Sequence, residues 1–191
     1  MKQSYHHGNL RQELIEAGIR MVQQVGIEKL SLRKLAACCG VSEAAPYSHF
    51  ANKDEFVSAM QEFVTEQLLA CLKGAVEQTE YQDSPLAILN MGKAYVLFFI
   101  KNPEYYNFLF MQQGVRIDLS MQENNEDFAP FQYYKDKAYQ VYRNEGMTVE
   151  RIKYGVIAMW AKVHGIAAIA AMKDVTKDFE WEDVLEEILV E

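Results

Sequence analysis

Residues 31–50 read Ser-Leu-Arg-Lys-Leu-Ala-Ala-Cys-Cys-Gly-Val-Ser-Glu-Ala-Ala-Pro-Tyr-Ser-His-Phe, two short helical stretches hinged on Gly40-Val41-Ser42. Glycine enters a left-handed turn without a Cβ penalty, so Gly40 ends the first stretch and lets the chain reverse. Ser31 is suited to cap a helix over Leu32–Cys39, and Ser42 to cap a second over Glu43–Phe50. Ala36 is small where the two helices must approach. Leu32, Leu35, Cys39, Val41 and Phe50 are available as a small core beneath them. A unit of this kind can present the start of its second helix, with free N–H groups, to the major groove of DNA. The same residues also suit an ordinary helical hairpin with a solvated basic face.

Nearly every other segment is helical in pattern. Leu10, Leu14, Ala17, Ile19, Met21, Val22 and Val25 recur at three- and four-residue steps up to Gly26. Asn52 with Glu55 resembles a capping box opening a long helix that carries Phe56, Met60, Phe63, Val64 and Leu68. Ser84-Pro85 and Asn102-Pro103 are cap-then-proline starts. Gly114–Asp127 lacks periodicity and is expected as a loop. Phe128–Asn144, a segment from Thr148 to about Met172, and Asp178–Val190 are predicted as the remaining helices. Strand alternation is nowhere evident, and the predicted fold is all-α. A composition break near Lys53–Phe56 divides the chain into residues 1–53, ordered from about residue 9, and residues 54–191.

The charge follows that division. The whole chain carries −8, but residues 1–53 hold seven Lys/Arg against four Asp/Glu, a net +3, leaving −11 on the remainder. A basic head on an acidic body fits an anion-binding module whose body is repelled by the same anion. Cys38, Cys39 and Cys71 have neither disulfide nor zinc spacing and are expected as small, mostly buried thiols. Apolar runs such as Tyr95–Ile100 fall far short of the roughly 20 residues of a membrane helix. The polar start, Met1–Leu10, does not have the pattern of a signal peptide, and the expected location is the cytoplasm. Enzyme chemistry finds little footing. The chain contains no glycine-rich phosphate loop, no His-x-x-x-His and no Glu-x-x-His pair, and no cofactor or metal is expected. A helical module binding only protein would leave the charge split and the turn chemistry unexplained.

The span Asn9–Met60 closely resembles the DNA-binding domain of the TetR family of bacterial transcriptional regulators. The resemblance rests on Val25-Gly26, Ser31-Leu32-Arg33, Ala36, Gly40-Val41-Ser42, Tyr47-Ser48-His49-Phe50 and Asn52-Lys53-Asp54-Glu55. His6-His7-Gly8-Asn9-Leu10-Arg11, Asn102–Phe110 and Trp160-Ala161-Lys162-Val163-His164-Gly165 resemble one branch, whose C-terminal domain is named for a Trp-His-Gly signature. The resemblance implies an N-terminal three-helix helix-turn-helix domain and a C-terminal helical bundle for effector binding and dimerisation. It implies a homodimer on a palindromic operator, released by a small-molecule effector, usually a repressor.

Carried onto this chain, Ser31, Arg33, Ser42, Tyr47, His49 and Lys53 match positions that commonly meet DNA. Ser31 and Ser42 would offer hydroxyls and helix starts to phosphate, Tyr47 and Lys53 would clamp the backbone, and Arg33 would touch either phosphate or a base edge. Glu43, Ala44 and Ala45 would face the groove, Glu43 accepting from a cytosine amino group and the alanines packing on thymine methyls. Pro46 removes a backbone donor and is expected to distort the first turn. His6 and His7 read by default as a frayed terminus, with a flexible arm near DNA as the alternative, rather than as metal ligands. In the body, Phe99, Tyr106, Phe110, Tyr134, Trp160 and His164 are candidate effector contacts, with plain core packing as the alternative. The last two helices are the candidate dimer face, the small-residue run Ile166–Ala171 suiting tight packing in the core or across a two-fold axis.

Overall fold

A computed structural model describes residues 10–121, 128–172 and 174–190. His6 and His7 lie outside the described residues. All described secondary structure is helical: α1 (Leu10–Val25), α2 (Leu32–Cys38), α3 (Lys53–Glu77), α4 (Pro85–Lys101), α5 (Pro103–Tyr106), α6 (Ala129–Asn144), α7 (Val149–Ala170) and α8 (Trp181–Val190). Two 3-10 turns, Ile27–Lys29 and Ala45–Ser48, and a π-helix, Asn107–Gln113, complete it.

In the head, α1 turns Leu14, Ile15, Ile19 and Val22 inward against α2 and α3. Gly18 sits where α1 crosses α3. A Cβ there would lie 2.5 Å from Cζ of Phe56 and 2.7 Å from Sδ of Met60, so any side chain would drive the two helices apart. Phe56 and Met60 are fully buried in that crossing. Thus the first two turns of α3 belong to the core of the head, while Val64, Leu68, Leu72 and Val76 continue the same buried stripe into the body. One unbroken helix of 25 residues serves both. Its start is fixed as the sequence suggests: Asn52 Oδ1 accepts from the Glu55 amide at 2.9 Å, and the Glu55 carboxylate accepts from the Ala51 amide.

The body is built around α4. It packs on α3, α6, α7 and α8, and its apolar sequence follows from being covered on almost every side. Helix α7 is capped by Thr148, whose hydroxyl accepts from the Arg151 amide. It turns Ile152, Val156, Val163 and Ala167 inward. Ala167 is fully buried within its own chain and Ile166 nearly so, which assigns that part of the small-residue run to the core. Tyr154, Ala158, Ala161, Gly165 and Ala168 run along the opposite side of α7 at steps of four, three, four and three, from half-buried to strongly exposed, and exposed Met172 follows just past its end. A Cβ at Gly165 would meet nothing within 4 Å, so this glycine makes no close helix contact inside the chain.

Several expectations change. The second helix of the turn unit is not an α-helix over Glu43–Phe50, and Ser42 does not cap it with its side chain. Pro46 has no N–H to give the Ser42 carbonyl, so the Ala45 amide takes that carbonyl at 2.9 Å and the chain tightens into a 3-10 turn. Asn102 does not cap α5; its side chain donates back to the Phe98 carbonyl at 2.8 Å, closing α4. The last helix starts at Trp181 rather than Asp178. Cys38 is exposed, because it falls on the outer face of α2.

Candidate functional site

The head offers its outer face through the turn unit. Ser31 caps α2, its hydroxyl accepting from the Lys34 amide at 3.5 Å. Gly40 takes φ +70°, the left-handed value its place in the turn requires. Arg33 and Lys34 then point outward from α2. Arg33 meets Glu43 across the turn, Nε to Oε2 at 3.0 Å and a terminal nitrogen to Oε1 at 3.3 Å. Ser42, Ala44 and His49 are exposed, Tyr47 is about half exposed, and Ala45 is half-buried. Lys53 reaches from the start of α3 to donate to the Glu28 carbonyl at 3.2 Å, tying the turn before α2 to the turn after it. Arg11 adds a cation that the spacing did not single out; its guanidinium lies 5.4 Å from the Phe50 ring centre. No pattern within α1 links it to Phe50, since that contact exists only once the helices pack. One module therefore gathers Arg11, Arg33, Lys34, Tyr47, His49 and Lys53, while Glu43 is already engaged by Arg33.

The body holds a second cluster, centred on His164. Its Nδ1 lies 3.0 Å from the Tyr95 hydroxyl and its Nε2 3.1 Å from the Tyr106 hydroxyl. A neutral imidazole donates from one nitrogen and accepts at the other, so one phenol accepts and the other donates. Trp160 stacks on the imidazole at 5.4 Å, and Phe110 meets it edge-to-face at 4.6 Å. Phe99 packs on Tyr95, Tyr106 and Phe110. Five of the six expected body residues, Phe99, Tyr106, Phe110, Trp160 and His164, thus form one aromatic cluster. Tyr134 stands apart from the histidine and donates to the Val156 carbonyl at 3.3 Å. Tyr95 was not singled out in the sequence. It sits amid the apolar run of α4, and only the rule that a buried hydroxyl needs a partner could have marked it.

Beside this cluster, Leu72, Met91, Tyr95, Tyr134, Met159 and Trp160 line a cavity of about 20 Å³, room for one water. The cluster hangs from an unusual support. Tyr106 ends α5 and Phe110 lies in the π-helix, whose wider winding inserts an extra residue per turn and is associated with functional sites. The same α5 and π-helix touch α1 of the head.

Burial holds the His164 imidazole below its ordinary value of 6.5, and pushes the Tyr95 phenol well above its own. The folded protein therefore resists a proton that the unfolded chain accepts. Stability is complete above the ordinary imidazole value and is lost as pH falls through it towards the folded value. Denaturation midpoints between about pH 5 and pH 8 should show this loss in the natural chain and a smaller one in His164→Phe.

Comparison with known proteins places residues 14–60 within the family model described as bacterial regulatory proteins, tetR family. Over 70 residues the chain is 37% identical to the HTH-type nicotine-responsive transcriptional repressor HdnoR of Paenarthrobacter nicotinovorans, covering 37% of this chain and 36% of that protein. Over 63 residues it is 36% identical to the nucleoid occlusion factor SlmA of Yersinia enterocolitica, covering 32% of each. The matched stretch spans about a third of the length of these curated relatives. Similar solved folds cover nearly the whole chain. A TetR-like transcriptional regulator from Rhodococcus sp. RHA1 has a TM-score of 0.67 at 16% identity, covering 99% of this chain and 97% of that one. The TetR family transcriptional regulator PfmR of Thermus thermophilus has a TM-score of 0.63 at 15% identity, covering 93% and 94%.

Proposed function

We propose, from the match of residues 14–60 to the family model of tetR-family bacterial regulatory proteins, that the chain is a regulator of that family, a transcriptional repressor that binds a palindromic operator as a homodimer and is released by a small-molecule effector. The observation that supports the DNA half is the turn unit, which leaves Arg33, Lys34, Tyr47 and His49 exposed and Lys53 half-buried beside it, in a head whose charge is opposite to that of the body. Ser31, Arg33, Ser42, Tyr47, His49 and Lys53 act on phosphates, positioning the protein without reading sequence. Glu43, Ala44 and Ala45 meet base edges. With no Arg or Lys between Glu43 and Phe50, base reading is modest and DNA shape contributes.

Residues 1–53 together with the first two turns of α3 form the DNA-binding head, and the remainder of the chain the regulatory body, so the division expected at residue 53 falls inside α3. The outward stripe on α7 supports the dimer. Its four-and-three spacing and its small residues at 158, 161, 165 and 168 suit a second copy of the same helix, with α8 alongside. In the body, Phe99, Tyr106, Phe110, Tyr134, Trp160 and His164 contact the effector. The space of about 20 Å³ beside them has room for one water and must enlarge to admit an effector. Met91 and Met159, both deformable, line the space that must open. An effector preferring the opened state shifts the population away from the conformer that fits the operator. The protein works in the cytoplasm, where the operator lies, and is not an enzyme. Selection of bound duplexes from a random pool tests the proposal. An enriched palindrome is the expected product, and enrichment of no sequence, or of an asymmetric one, would overturn it.

A further inference from the structure

We propose that Glu43 serves as an internal stand-in for DNA phosphate on Arg33, so that a duplex gains this arginine only by displacing the carboxylate, and that Glu43 thereby sets discrimination among duplexes. The inference rests on the DNA-binding reading above. The two nitrogens of Arg33 face the two oxygens of Glu43 at 3.0 and 3.3 Å, the fork-on-fork arrangement by which an arginine also grips phosphate. The pair spans the turn itself, from the first turn of α2 to the residue after Ser42. Both side chains are about two-thirds exposed, 70% and 66%. Ion pairs so exposed are weak, so this one is within reach of a competing anion.

The competition is not the same on every sequence. When phosphate takes Arg33, the Glu43 carboxylate is released beside a polyanion. Where a cytosine amino group is within reach, the carboxylate finds a donor and both charges end up paired. An adenine amino group can serve in the same way; against guanine or thymine edges the carboxylate faces only acceptors, a methyl group and phosphates, and the exchange is unfavourable. Glu43 therefore costs little on a matching site and more on a generic duplex.

The test compares the full chain with Glu43→Gln, Arg33→Gln and the double variant, on a random-sequence duplex over a range of salt. Glu43→Gln should bind the random duplex about 5-fold tighter at low salt, with a salt slope steeper by about 0.9 per protomer as one arginine is freed for phosphate. In the Arg33→Gln background the same change should give less than half that gain and leave the slope unaltered. An equal gain in both backgrounds would mean that the carboxylate merely repels DNA, and no gain in either would mean that the pair plays no part; both outcomes overturn the inference. Failure of the unsubstituted chain to bind any duplex at low salt would overturn the DNA-binding reading itself, and needs no variant to be recognised.

Discussion

Ala161→Arg is expected to give a folded monomer that binds operator DNA about 100-fold or more weakly than the natural chain. Residue 161 lies at the centre of the outward stripe on α7, between Tyr154 and Met172, which are 68% and 60% exposed. A charge there meets only water in the single chain, so the melting temperature of the protomer should hardly move. Across a two-fold axis the charge meets its own copy and an apolar helix, which the interface cannot accept. Losing the proposed dimer would remove the second half-site contact, whose effective concentration would contribute roughly 10²–10⁴ to the affinity. Ala167→Glu provides the contrast. Ala167 is completely buried within its own chain, so a carboxylate there should unfold the protein rather than divide a dimer. Sedimentation and thermal melts of the two variants separate these effects. A dimeric Ala161→Arg protein would show that the interface lies elsewhere.

Trp160→Ala should lower stability by about 3 kcal/mol, near the lower end for removal of a large core aromatic. Trp160 is half-buried, but its ring packs edge-to-face on Tyr95 at 5.2 Å and on Phe131 at 4.7 Å and stacks on His164. Removing it enlarges a cavity that already exists beside it. Tyr95 and Tyr106 still hold the histidine, so the bundle should fold, with a lower urea midpoint and an unchanged dependence on denaturant. The enlarged cavity should also admit small apolar molecules that the natural chain excludes. Stabilisation of the variant, and not of the natural chain, by benzene-sized probes would confirm the cavity. An unshifted midpoint would mean that the indole contributes no net packing.

The sequence was most legible where a local rule decides. Ser31, Asn52 and Thr148 each cap a helix with their own side chains, because the bond is made within three residues. The turn at Gly40 is equally local. What escaped lies between distant segments. Glu43 appeared available for a base edge, since nothing in the spacing brings Arg33 to it. Lys53 read as a phosphate contact, and its bond to the Glu28 carbonyl depends on how α3 meets the turn before α2. The π-helix at Asn107–Gln113 follows a proline start that reads as ordinary helix; its extra residue is set by packing Phe108, Leu109 and Phe110 simultaneously. Pro46 shows the intermediate case. Distortion of the first turn follows from its missing donor, but the 3-10 winding of Ala45–Ser48 in place of an α-helix also has to deliver Phe50, buried against Phe56.

The continuity of α3 makes it a mechanical arm. Twenty-five residues rising about 1.5 Å each give a rod of roughly 37 Å, seated at its far end among the body helices and at its near end in the head. Rotation at one end of a stiff rod becomes translation at the other, in proportion to its length. A tilt of about 5° near Val76 carries Lys53 roughly 3 Å, and in the proposed dimer two arms swinging oppositely would change the separation of the two heads by about twice that. Successive major grooves on one face of DNA are spaced by about 34 Å, a distance the duplex does not readily alter. In the proposed dimer the rigidity of α3 would thus set a gain: angular changes too small to disturb the packing of the body would be large enough to lose register with the helical repeat of DNA.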